Sequence, residues 1–226
     1  MKTMLIFVLT TFYINVSNSQ VSYSVTLGPG SVLFDYDTGV SYNYDDYLKL
    51  YKDYPNMHAW PKEYNKYGMA SSFYFDKNEE NSRTISNGLF NDKVSEGEIF
   101  SEFVMKTIDG QIVESKNLRG KKIVLISIVM LREPFFNKDQ LLEMDSFFSD
   151  LPNVKSIVFT SSNSLEIEDA IGDLNLNSLI VPEAMGFQKK YGIKISPQYV
   201  LIDENGLLVK YFKHEDLGTF EDMLKN

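Results

Sequence analysis

The hydrophobic pattern is strongest between residues 103 and 212. Ile123-Val124-Leu125-Ile126-Ser127-Ile128-Val129 is apolar at all but one position and rich in β-branched side chains. Such a run marks a strand buried on both faces, because alternation disappears when neither face meets water. Val154–Thr160 predicts a second buried strand and Ser178–Val181 a short one. Tyr199–Asp203 and Leu207–Phe212 predict a pair joined by Glu204-Asn205-Gly206. Phe103–Ile108 and Gln111–Val113 flank Asp109-Gly110, a strong hairpin signal. Between strands the spacing turns helical. Asn137 and Gln140 resemble a capping box ahead of Leu141, Met144, Phe148 and Leu151. Asn163 and Glu166 open a second helix whose apolar residues are Leu165, Ile167, Ile171 and Leu174. Ala184, Phe187, Gln188 and Tyr191 predict a third, which Gly192 can end. Asp216 is expected to cap a last helix carrying Leu217, Phe220 and Leu224. Alternating strands and helices predict an α/β fold, a mixed sheet with helices on both faces.

Residues 20–95 are less periodic. They hold ten of the fourteen tyrosines and the only tryptophan, Trp60. Val21–Leu27 alternates like a strand and ends at Gly28-Pro29-Gly30. Tyr44, Tyr47, Leu48 and Tyr51 fall on one face of a short helix stopped before Pro55. Trp60, Tyr64 and Tyr67 repeat that spacing, with Pro61 at a first helical position and Gly68 past the end. Ser72–Phe75 and Arg83–Phe90 predict strands. The rings are expected to staple this extension onto the more regular region, since aromatics bury a large area each. Asp35-x-Asp37-x-Gly39 has the beginning of a calcium loop but lacks the later ligands and reads as a surface turn.

The chain begins differently again. Lys2 precedes an apolar run from Met4 to Ile14, and Ser17 and Ser19 place small residues before Gln20. That is a secretory signal over residues 1–19, its apolar run being too short to span a bilayer. The remainder is expected to be exported, periplasmic or extracellular, and soluble, with no membrane span after cleavage. The 226 residues include no cysteine. Disulfides, thiolate nucleophiles, zinc fingers and iron–sulfur clusters are all excluded. Two histidines, His58 and His214, are too few for most His-built metal sites, so no metal or cofactor is expected. The net charge of −9 disfavours nucleic acid, which calls for a basic stripe. No Walker loop or GxGxxG is present.

Two longer patterns carry a resemblance. Phe103-x5-Asp109-Gly110 followed by Asn117-Leu118-Arg119-Gly120-Lys121-Lys122-Ile123-Val124-Leu125 is one. Tyr191-Gly192-Ile193-x3-Pro197-x2-Val200-Leu201-Ile202-Asp203-x2-Gly206 is the other. Together they resemble the redoxin-type members of the thioredoxin-like superfamily, the exported thiol–disulfide reductases and peroxiredoxins, over residues 96–226. The resemblance implies a thioredoxin-like fold and a cis peptide between Ser196 and Pro197. In that family the strand matching Ile123–Val129 runs into a Trp-Cys-x-x-Cys loop at a helix N-terminus. Here the stretch reads Leu131-Arg132-Glu133-Pro134-Phe135-Phe136, with Arg132 and Phe135 where the two cysteines would stand.

Neither a guanidinium nor a phenyl ring can attack a disulfide or a peroxide, so the resemblance brings no catalytic residue. What it leaves is a groove between the former active-site loop, Leu131–Phe136, and the cis-proline loop, Ser196-Pro197. In relatives the backbone beside that proline pairs with an extended substrate, which needs no sulfur. Leu131, Phe135 and Phe136 are expected to supply an apolar floor, and Arg132 to meet a partner carboxylate. The expectation is a redox-inert binding or scaffold protein taking an extended peptide or protein partner. Two alternatives stand beside it: the oxidoreductase or antioxidant role that the family name implies, and glycan or peptide recognition by the aromatic extension.

Overall fold

The computed structural model describes residues 27–78, 94–193, 196–216, 218 and 223–224. The signal segment, the strands expected over Val21–Leu27 (save Leu27) and Arg83–Phe90, and most of the last helix lie outside these residues.

The central strand is β7 (Lys122–Ile128), in a five-stranded sheet. It pairs parallel with β8 (Val154–Thr160) and antiparallel with β10 (Gln198–Ile202). Beyond these lie β9 (Leu179–Val181), parallel to β8, and β11 (Leu208–Lys213), antiparallel to β10. Each strand with its neighbours buries both faces, as the unbroken apolar run predicts. On one face Ile123, Leu125, Val200 and Ile202 pack against Met105, Val113, Phe187 and Tyr191. These four come from the hairpin β5 (Val104–Lys106) and β6 (Ile112–Glu114), helix α4 (Met185–Lys190) and the residue after it. On the other face Val124, Ile126, Tyr199 and Leu201 pack against α2 (Lys138–Ser149) and α3 (Ser164–Ile171).

Both predicted N-caps are present. Asn137 accepts from the amides of Asp139 and Gln140, and Asn163 with Glu166 forms a reciprocal capping box. Leu165 departs from its expected place, being 78% exposed. It stands two residues before buried Ile167, about 200° around the helix, so it faces away from the Ile167–Ile171 stripe. Asp216 lies in a 3-10 turn and accepts from the Lys213 amide behind it, 3.2 Å away; most of the helix it is expected to cap lies outside the described residues.

Residues 32–76 form a second, four-stranded sheet. Its strands are β1 (Val32–Asp35), β2 (Ser41–Asn43), β3 (His58–Tyr64) and β4 (Ala70–Asp76), in the order β2-β1-β4-β3. Helix α1 (Tyr44–Asp53) covers one face, capped by Asn43. Leu33, Tyr47, Met57, Phe73 and Phe75 make its core. Of the helical face read from the sequence only Tyr47 is buried, while Leu48 and Tyr51 are exposed. The helix expected over Trp60–Tyr67 is instead strand β3 and its turn. Pro61 suits a strand because β3 is at the sheet's edge, where a missing N–H breaks no ladder. Trp60 thereby meets Tyr36 and Tyr74, at 5.9 and 6.3 Å between ring centroids.

The two sheets meet through backbone more than through rings. The Lys66 carbonyl accepts from the Val104 amide at 2.7 Å. Gly186 of α4 lies so close to Gly68 that a Cβ there would stand 1.8 Å from the Gly68 carbonyl oxygen. The tyrosines expected to staple this region to the rest mostly line its own two faces.

Candidate functional site

Just after β7 the chain leaves the sheet, and its backbone groups need partners that no neighbouring strand supplies. Serine and threonine hydroxyls supply them. The Val129 carbonyl accepts from the Ser161 amide at 3.1 Å, from Thr160 Oγ1 at 3.4 Å and from Ser161 Oγ. The Val129 amide donates to Ser196 Oγ at 3.0 Å, and the Leu131 amide to Ser162 Oγ at 3.0 Å. Ser196 Oγ in turn donates to the Phe135 carbonyl at 3.3 Å. One side chain therefore joins the end of the central strand to both loops of the expected groove. Gln188 Nε2 adds a bond to the Ile128 carbonyl at 3.2 Å.

The bond Ser196–Pro197 is cis. So is Glu133–Pro134, which sequence reading missed. Arg132–Phe135 is a four-residue turn closed by the Phe135 amide on the Arg132 carbonyl at 3.0 Å, with the cis proline at its third position. Helix α2 starts only at Lys138. Arg132 and Phe135 thus precede the helix in a separate turn, where the expectation put them at its N-terminus. Phe136 and the cap residue Asn137 separate Phe135 from the helix, and a helix dipole acts mainly within the first turn.

The six loop residues divide. Leu131 is buried among Leu141, Met144 and Ile167, and half-buried Phe136 packs on the same cluster. Both belong to the core, which removes them from the expected apolar floor. Phe135 is 45% exposed, and Arg132, Glu133 and Pro134 are exposed. Ser196 and Pro197 are half-buried. Among the described residues, neither the backbone N–H nor the C=O of Ser196 meets a hydrogen-bond partner. On the far side of the loop an open cleft of about 260 Å³ is lined by Met130, Leu131, Arg132, Ser162, Glu166, Asp169 and Ala170.

Other polar side chains that could carry chemistry are occupied or lie elsewhere. Ser161, Ser162 and Ser196 are committed to backbone groups. His58 is exposed at the start of β3, and the side chain of His214 lies outside the described residues. Asp35 opens a turn by accepting the amides of Asp37 and Thr38, each at 3.1 Å, and pairs with Lys77 at 2.9 Å. Its burial favours the neutral acid, but the Lys77 and Thr38 bonds outweigh this and hold its pKa below the usual value. The hydroxyl fastening is what sequence reading missed. The run Thr160-Ser161-Ser162 at the end of a buried strand is the one local sign of it.

No family model and no curated protein matches the chain. Solved structures do match by shape. A peroxiredoxin-like protein from Aquifex aeolicus superposes with a TM-score of 0.51 at 14% identity, over 60% of this chain and 91% of that one. A thiol peroxidase from Chromobacterium violaceum gives 0.51 at 18% identity, over 61% and 89%. These likenesses show the fold: it is thioredoxin-like. The chain has that fold and no cysteine. Among the described residues no helix is long and apolar enough to cross a membrane.

Proposed function

We propose that the chain is an exported, redox-inert thioredoxin-like binding protein. Residues 1–19 are its cleaved signal, 20–95 an aromatic-rich extension and 96–226 the thioredoxin-like domain. Its ligand is an extended segment of a protein partner, seated between the turn Arg132–Phe135 and the loop Ser196-Pro197. The observation that carries this reading is the backbone of Ser196, unpaired among the described residues, beside exposed Phe135. One N–H and one C=O free at a surface are what a strand needs to add itself, and a ring next to them offers an apolar contact. The hydroxyl bonds to Val129, Leu131 and Phe135 pre-organise both walls, which lowers the entropy lost on binding.

The fold neighbours' names imply thiol chemistry, yet a mixed disulfide or a sulfenic acid needs a thiol that the chain lacks. Purified mature protein is therefore expected to leave insulin disulfides and hydrogen peroxide unchanged. A turnover that tracks the protein's own concentration through purification would end the redox-inert reading. For binding, S-carboxymethylated insulin B chain is a thiol-free extended probe. Titrated into isotope-labelled protein, it is expected to shift the amide resonances of Phe135 and Ser196, and Phe135→Asp to abolish the shifts. Shifts confined to the four-stranded sheet would favour recognition by the extension instead. The double variant Arg132→Cys/Phe135→Cys is expected to close an internal disulfide under mild oxidation, since Cα atoms at the two ends of a turn lie within about 7 Å. Two persistent free thiols would show that these positions do not superpose on a redox motif.

A further inference from the structure

Ser127 interrupts an otherwise apolar strand, and its hydroxyl is completely buried. Directly opposite it in the β7–β10 ladder stands Gln198, 4% exposed. Alternation places both on the face of Leu125 and Val200, beneath α4. Neither Ser127 Oγ nor Gln198 Oε1 has a hydrogen-bond partner. Two such orphans on facing residues are unusual, because buried polar atoms in folded proteins are almost always paired.

We infer that Ser127 and Gln198 together hold one ordered water molecule between β7, β10 and α4. The chemistry matches. A hydroxyl can donate or accept, an amide oxygen only accepts, and a water between them can serve both. Side chains directly opposite in an antiparallel ladder have Cβ atoms roughly 4.5–5.5 Å apart, which lets both reach one small molecule. A buried water needs two to four polar partners, and this pair provides the minimum. Gln188, reaching from α4 to the Ile128 carbonyl, lies 6% exposed beside the same strand end. The water ties the two strands together directly behind the groove: Gln198 follows Pro197, and Ser127 stands two residues before Val129, which bonds Ser196. It is an internal part of the fold, independent of whether the groove binds a partner.

A crystal structure of the mature protein that resolves ordered solvent tests this directly. One water within hydrogen-bond distance of both Ser127 Oγ and Gln198 Oε1 is the expected result. A direct Ser127–Gln198 hydrogen bond with no density between the two would overturn it, as would two dry, unpaired atoms. Thermal melts give a second reading. With the water present, Ser127→Ala lowers the Tm, because the water and Gln198 each lose a partner. Ser127→Ala/Gln198→Leu recovers most of that loss by making the site apolar. A Ser127→Ala variant with a raised Tm would mean that the hydroxyl was an unpaired liability, and the water site would be wrong.

Discussion

Both sheets bury apolar side chains, but they announce themselves differently in the sequence. In the five-stranded sheet β7 and β8 are covered on both faces, so their sequences are nearly unbroken apolar runs. In the four-stranded sheet β1 buries alternate residues and β3 buries only Trp60, and the large residues on the less covered face are aromatic. Phe34, Tyr36, Trp60 and Tyr74 form a chain of ring contacts there, with the Lys62 ammonium 3.7 Å from the centre of the Phe34 ring. The contrast shows that a periodic signal depends on what covers a strand and not only on what the strand contains. The four-stranded sheet meets the rest where the turn after β3 docks on α4 and β5.

The sharpest attempt to break that contrast removes one core side chain from each sheet. Leu125 and Phe75 are both completely buried. Leu125→Ala is expected to cost about 2–5 kcal/mol and Phe75→Ala about 3–5 kcal/mol. Because the Lys66–Val104 bond and the Gly68–Gly186 contact couple the sheets, both losses should appear in one shared unfolding transition. If Phe75→Ala instead produces a separate early transition that leaves the main one in place, the sheets are independent folding units.

A smaller effect is expected at the junction itself. In Gly186→Ala the new Cβ meets a backbone carbonyl, which cannot swing aside as a flexible side chain would. Overpacking of this kind costs about 1–3 kcal/mol. The variant is expected to divide a single transition into two by prising the turn off α4. Gly68→Ala should behave alike, because Gly68 has φ +71° and its Cβ would lie 2.9 Å from the Phe187 ring. An unchanged melting profile for Gly186→Ala would show that the turn is not docked there.

Legibility in the sequence follows the same division. The central strand, its neighbours, the Asp109-Gly110 hairpin and both asparagine caps were readable because each is decided by residues close in sequence. β3 was not. Trp60, Tyr64 and Tyr67 satisfy a helical spacing, and Pro61 suits both a helix start and an edge strand, so only the pairing with β4 decides. That Leu131–Phe136 and Ser196-Pro197 come close together was readable from the patterns on either side of them. How the loops are held was not, because Ser196 lies 67 residues from Val129 and Ser162 lies 31 from Leu131. Nor was the split between core Leu131 and exposed Phe135, since that depends on where α2 begins.

The smallest expected effect probes the seam between α4 and the segment before β5 by pH. Lys190 is half-buried on α4, with its ammonium donating to the Glu102 carbonyl at 2.7 Å. Burial pulls its pKa down to about 8, against the opposing pull of the Glu102 charge. An unfolded lysine titrates near 10.4. Below pH 8 both states carry the proton, and the native state bears the full cost of burying the charge. Between about 8 and 10.4 the unfolded chain holds a proton that the native state has lost, so stability rises with pH. Above that both states are neutral and the cost is gone. Tyr47 and Tyr211, pushed up to about 12 by burial, act in the opposite sense. Unfolded tyrosines ionise near 10, so these two lower stability from about pH 10 upward and close the useful window. Lys190→Met removes the titrating group and keeps most of the stem. In urea titrations between about pH 7.5 and 9.5, wild type is expected to gain on the variant as pH rises. Solvent screening of a partly exposed ammonium should keep that gain to about 1 kcal/mol or less. A difference that stays flat, or that shrinks with pH, would mean that the ammonium is well solvated and that the seam around Glu102 is open to water.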